Sequence, residues 1–312
     1  MPGAGHYPAP LRKEFGIKGW SRERRERLFI DIKVMRRQTC RRMEAFQKNP
    51  LFFLPEAAEP RSEVGFRFGS VGTHSSRTLM LAELVSVLNY TTSDTERDGY
   101  KHSVIDDNCL GKPTSSTRRL SFQRLSELYS LDPQVSLFRL LRRLWAMDAG
   151  SQPHLALLVA LARDPLLRAS APAVLNLKVG EEFRRADAED ALRAVTDGRL
   201  NDSILAKVVR NCASSWAQAG LLQGRTFKYR RQIKPHFVGV TMALATGYLA
   251  GFRGDSLFAS PWMRVLDADP ATARNLALEA KRAGLLDLRI SDKIVDLQFE
   301  RLDPSFASSL SR

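Results

Sequence analysis

Cysteine is scarce in this chain of 312 residues: Cys40, Cys109 and Cys212 are the three present, 69 and 103 positions apart. None belongs to a C-x-x-C pair, which argues against a disulfide framework and against a zinc module, and suits a reducing cytoplasm. Long apolar runs are also lacking. The one long uncharged stretch, FVGVTMALATGYLAGF at 237–252, has sixteen residues and is diluted by three glycines and by Thr241, Thr246 and Tyr248. A spanning helix needs roughly 20 apolar residues, so a buried helix is expected there and a membrane span is not. Met1 to Pro10 is rich in proline and glycine and no apolar segment follows, so no signal peptide is read at the start.

The sequence signatures of common catalysts are missing too. No Walker A loop, Rossmann glycine fingerprint, H-E-x-x-H or G-x-S-x-G occurs. His102 and Asp106 stand four apart in YKHSVIDDN, but without a third ligand they read as a helix-surface contact and a cap. Glu181-Glu182 and Glu189-Asp190 read as helix-start carboxylates near the compensating Arg184 and Arg185. No catalytic residue, cofactor or metal is expected.

What is present in excess is positive charge, a net +14 from 48 Lys/Arg against 34 Asp/Glu. A polyanion is the partner such an imbalance suits. The excess is local: residues 1–48 carry 13 basic against 5 acidic side chains, and residues 199–234 carry 8 against 1. The apolar fraction of 44% is ordinary for a globular protein. Three parts are expected: a basic amino-terminal arm and linker over 1–60, a helical domain over 61–180, and a helical domain with winged-helix-like elements over 181–312.

The pattern along the chain is overwhelmingly helical. Ser21 to about Lys48 has apolar Leu28, Ile32, Met35 and Met43 at near-helical spacing with arginines on the other faces. PLFFLPEAAEP at 50–60 then interrupts the periodicity. Helices are expected within 73–90, 115–133 and 133–150, and HLALLVALARDPLLRASAPAVLNL (154–177) reads as two apolar helices parted at Asp164-Pro165. ADAEDALRAVTDG and NDSILAKVVRNCASSWAQAGLL continue in the same style.

Strand signal is concentrated after a repeated tetrapeptide. Ala-Gly-Leu-Leu occurs in AQAGLLQG (217–224) and again in KRAGLLDL (281–288). A glycine able to take the positive φ of a helix C-cap, followed by two leucines that anchor a strand, is the punctuation of a helix that stops and hands over to a hairpin. In the first copy Asn201 or Asp202 caps a helix whose apolar stripe is Ile204, Leu205, Val208, Val209, Cys212 and Trp216; Lys207, Arg210, Asn211 and Ser214 fall opposite. Guanidinium and amide groups on an outer helix face suit base edges in a major groove. The following GRTFKYRRQIK holds Arg225, Lys228, Arg230, Arg231 and Lys234. Alternation puts Lys228 and Arg230 on one side and Phe227, Tyr229 and Arg231 on the other, with the first side expected to face phosphates or a minor groove.

The second copy, with Asp269 as cap and Asp287, Asp292 and Asp296 in its hairpin, is near neutral and suits structural or protein-contact work. A third basic element, GKPTSSTRRLSFQR (111–124), adds Lys112, Arg118, Arg119 and Arg124 around a helix N-terminus able to hold phosphate.

The succession DDNCLGKPTSSTRRLSFQRLSELYSL, LALLVALARDPLLRASAPAVLNLKVG and LNDSILAKVVRNCASSWAQAGLL with a final basic hairpin resembles the BrxA family, a helical component of bacterial BREX anti-phage defence systems. FGSVGTHSSRTLMLAELVSVL (68–88) is similar to the start of that family. The resemblance implies a mainly α protein related to NusB-like and helix-turn-helix modules, DNA binding, and service beside the methyltransferase and ATPase subunits of the system; with the hairpins read above, the expectation is a helical fold with short β-hairpin wings that binds double-stranded DNA. Two other classes stay open on the residues alone: an RNA-binding helical protein that stacks bases on Phe227 and Tyr229, and a scaffold whose basic helix docks an acidic partner.

Overall fold

The computed structural model describes residues 53–55, 62–291 and 294–306. The basic run at 1–48, with the helix expected from Ser21, lies outside them. The described residues form eleven α-helices and two antiparallel two-stranded hairpins, a mainly α fold with short β elements.

The middle of the molecule is set by the most apolar sequence. α1 (Leu81–Tyr90), α2 (Arg97–Ile105), α3 (Ser115–Tyr129) and α4 (Ser136–Trp145) lead to α5 (Gln152–Arg163), in which every residue from Leu155 to Arg163 is buried. A helix apolar on all sides must be surrounded. α5 accordingly packs against α3, α4, α6 (Pro165–Leu175), α8 (Asp202–Gln218) and α9 (Phe237–Leu249). The break between α5 and α6 falls at Asp164-Pro165, as the sequence implies: Pro165 opens α6 and the Asp164 carboxylate accepts from the backbone N–H groups of Leu166 and Leu167. α9 covers most of the uncharged run and is buried around nearly its whole circumference. No helix among the described residues is long and apolar enough to cross a membrane.

Within 73–90 the hydroxyl-rich start precedes the helix, as the sequence implies. Thr73–Ser75 form a short 3-10 turn, Met80 adopts φ 52°, and α1 begins at Leu81. Distant partners hold the turn inward: Thr73 Oγ1 donates to Glu127 Oε2 at 2.8 Å, and His74 N–H donates to Asp164 Oδ2 at 3.0 Å. His74 Nδ1 meets that same oxygen at 2.9 Å and Nε2 meets Ser215 Oγ at 2.8 Å. Burial pushes the Asp164 carboxyl pKa upward, but the opposing pull of His74 and of backbone N–H donors outweighs it and leaves the group below the usual aspartate range.

The parts expected at 61–180 and 181–312 fall within one compact unit spanning 50–312. α6 packs on both α7 (Arg185–Val195) and α8, so the helices on either side of residue 180 share a core. The remaining elements are β1 (Leu222–Gln223), β2 (Tyr229–Arg230), the single-turn α10 (Pro261–Arg264), α11 (Pro270–Arg282), β3 (Asp287–Ser291) and β4 (Ile294–Gln298).

Both Ala-Gly-Leu-Leu segments end a helix in the same way. After α8, Gly220 (φ 82°) donates its N–H to Ala217 O and Leu221 donates to Trp216 O, each at 3.0 Å. After α11, Gly284 (φ 74°) donates to Lys281 O and Leu285 to Ala280 O, again at 3.0 Å. These paired bonds are the Schellman motif, in which a left-handed glycine lets the chain reverse onto the last turn. The leucines that follow are buried, and each exit leads into a hairpin, β1–β2 or β3–β4.

Candidate nucleic-acid interface

β2 is flanked on both sides. It pairs with β1 in the register Leu222 to Arg230 and Gln223 to Tyr229. On its other edge it meets 180–183: Gly180 N–H donates to Arg230 O at 2.8 Å, Arg230 N–H to Glu181 O at 2.8 Å, and Phe183 N–H to Lys228 O at 2.7 Å. Residues 184 and 185 follow directly, at the N-terminus of α7, so the pairing sets two arginines beside the hairpin. α8 packs against α7 and β1 and supplies a further wall.

Between these elements lies a groove of about 540 Å³. Its cationic lining is Arg184 and Arg185 from the start of α7, Arg210 from α8, and Arg225 and Lys228 from the hairpin; Glu182 is the one carboxylate in the lining. Phe183, Val209 and Ala213 contribute apolar surface, and Phe227, 61% exposed, stands at the hairpin side. Among the described residues none of the five cations forms an ion pair, and Lys228 Nζ donates to Gly224 O at 2.9 Å. α7 starts without a side-chain cap, and Asp187 in its first turn offsets the helix dipole there.

Another arginine group shows what a neutralised cluster looks like. Arg139, Arg142 and Arg143 of α4 line a groove of about 490 Å³. Arg139 Nε pairs with Asp303 at 2.9 Å, Arg143 lies 3.5 Å from the same carboxylate, and Arg142 donates to Leu88 O and Thr91 O. Those guanidinium groups brace the fold.

The residues expected from sequence to contact nucleic acid divide into three groups. Arg210, Arg225 and Lys228 converge on the basic groove; Lys207 is exposed one turn before Arg210 on the same helix face, and Arg231 and Lys234 are exposed beyond β2. Two others are turned inward, which corrects the expected facing of the hairpin and of α8. Arg230 is 5% exposed: its guanidinium pairs with Asp267 and donates to Arg231 O, while Asp267 Oδ2 also accepts the Ile233 N–H at 2.9 Å. The alternation is as expected, with Phe227, Tyr229 and Arg231 exposed; on the other side Arg230 is buried, while Lys228 is half-buried and lines the groove. Asn211 is half-buried and spends its amide N–H on the His74 carbonyl at 2.8 Å.

The third group belongs to α3 and its approach, and none of it lines the groove. Lys112 pairs with Glu83 at 3.1 Å, Arg124 with Glu127 at 2.7 Å, and Arg118 donates to Ile105 O at 2.7 Å, near the end of α2. Arg119 is exposed. Arg184 and Arg185 are the functional candidates that sequence reasoning passed over, because Glu181 and Glu182 beside them in the chain suggest local compensation.

Two arrangements with a catalytic outline resolve on inspection. His102 Nδ1 lies 3.0 Å from Asp106 and Nε2 3.3 Å from Asp107, all on the surface, and no metal-holding cluster of three acidic, histidine or cysteine residues occurs among the described residues. The Asp164, His74 and Ser215 line is sealed: all three are buried, and the Ser215 hydroxyl donates to Asn211 O at 2.9 Å. Comparison with protein-family models, with curated proteins and with solved structures finds no match for this chain.

Proposed function

We propose that the chain is a non-enzymatic accessory subunit that binds double-stranded DNA through the basic groove bordered by α7, α8 and the β1–β2 hairpin. One observation carries the reading: five cations from three separate elements converge there with no carboxylate partner within ion-pairing distance among the described residues. Gathering like charges costs energy in the free protein, and a polyanion recovers it by releasing its condensed counterions. Lys207 and Arg231 extend the positive rim. With Asn211 turned inward, the contacts available are predominantly to phosphates, which favours sequence-tolerant binding. The BREX placement, in a cytoplasmic assembly with other defence subunits, rests on the succession of sequence motifs that resembles BrxA.

The test is a mobility-shift titration of duplex DNA with the full chain and with a variant carrying Arg184→Glu, Arg185→Glu and Arg225→Glu. All three side chains face solvent in the groove, so the variant is expected to fold, which circular dichroism checks, and to lose retention of DNA. A folded variant that retains DNA like the parent overturns the assignment.

A further inference from the structure

We infer that the interior of this groove receives an unpaired nucleotide, at a strand end or gap, with its base against the ring of Phe227. The inference rests on the nucleic-acid reading above and specifies which part of the polymer enters. A volume of about 540 Å³ is that of a concave small-ligand site, whereas a continuous duplex is convex and meets the rim. Phe227 is the second observation. It is a large apolar ring, 61% exposed, placed among cations instead of in the core. Bases inside a duplex are stacked on one another and offer it no face, while an unpaired base does.

The support under the ring is rigid. Gly224, at φ 119°, closes the loop so tightly that a Cβ there would collide with the Phe227 carbonyl oxygen. Below it, β2 is hydrogen-bonded on both edges and anchored through Arg230 to Asp267. Arg184 and Arg185 on one wall and Arg210 on another let the phosphates before and after the unpaired nucleotide each find a guanidinium. Tyr229, 45% exposed on the same outer side of the hairpin, offers the next base a second surface.

The experiment measures fluorescence anisotropy of the full chain, at fixed ionic strength, against three probes: a blunt duplex, that duplex with a short single-stranded overhang, and the overhang probe with its bases removed. The overhang is expected to tighten binding about 5- to 150-fold over the blunt duplex, the range of one base–aromatic stack. The abasic overhang, equal in charge, should fall back to the blunt value. Phe227→Ala should erase the preference for the overhang, and Phe227→Tyr should keep it. Equal affinities for blunt and overhang probes, or an abasic overhang that binds as well as the intact one, overturn this inference and leave the duplex assignment standing. Absence of binding to all three probes overturns the assignment itself.

Discussion

Replacing Arg184, Arg185 and Arg225 together by glutamine should change how binding responds to salt by a calculable amount. Five cations without an ion pair among the described residues line the groove. If each engages one phosphate of a duplex, the logarithm of the association constant should fall against the logarithm of salt concentration with a slope of about −4.5. Between about 50 and 200 mM salt, affinity then drops by a factor of about 500. With Arg210 and Lys228 left, the slope becomes about −1.8 and the same change in salt costs a factor of about 12. Glutamine is preferred to glutamate here because it removes charge without adding repulsion, so the change in slope counts contacts. The assay is fluorescence anisotropy of a labelled duplex over a series of salt concentrations, with Arg119→Gln as the control. Arg119 is exposed on α3 and does not line the groove, so its variant should keep the parental slope. The reasoning is refuted if the triple variant retains that slope, or if Arg119→Gln lowers it as much as the triple change does.

Four further outcomes follow from particular contacts. Arg230→Met should cost about 1–3 kcal/mol in urea denaturation, because it strands the partly buried Asp267 carboxylate; adding Asp267→Asn, which tolerates the φ of 53° there and keeps an acceptor for Ile233 N–H, should restore most of the loss, and the double variant should bind duplex DNA like the parent. Gly224→Ala should cost about 1–3 kcal/mol and weaken DNA binding with it, since the loop carrying Phe227 and Lys228 must open; an unchanged midpoint and affinity would contradict the geometry. Gly72→Ala should cost about 1–3 kcal/mol, because a methyl group there overlaps the Asp164 carboxylate, and the denaturation midpoint should fall with the slope of the transition preserved. Asp164 has a lower pKa folded than unfolded, so its ionisation stabilises the protein above about pH 4 and that contribution is lost as pH falls through the folded value. Asp164→Asn should flatten the acid limb of a stability–pH curve.

The framework was legible where local chemistry alone decides. Asp164-Pro165 announces its own helix break, Asn201 and Asp269 cap the helices they precede, and Gly220 and Gly284 sit where a left-handed turn is required. Legibility failed where a partner far along the chain intervened. Period-2 alternation in the first hairpin told which side chains share a face and not which face is inner; Asp267, 37 residues on, decides that by drawing in Arg230. Asn211 lies among outward residues on a helical wheel, yet the His74 carbonyl, 137 residues back, takes its amide. The inward hold on the 3-10 turn at 73–75 likewise comes from Asp164, 90 residues on, which accepts the His74 N–H. Arg184 and Arg185 join the groove because 180–183 pairs with β2, a register that no local pattern in EEFRR announces.

The identical endings of α8 and α11 consist of main-chain bonds, so the stop signal is independent of the decoration on the ribbon that follows. One ribbon bears Arg225, Lys228 and Arg231, and the other bears Asp287, Arg289 and Asp296. A lineage, or an engineer, can therefore recolour either ribbon by editing solvent-facing side chains while the joint that launches it stays intact, and one architecture can acquire or shed an anion-gripping edge without refolding.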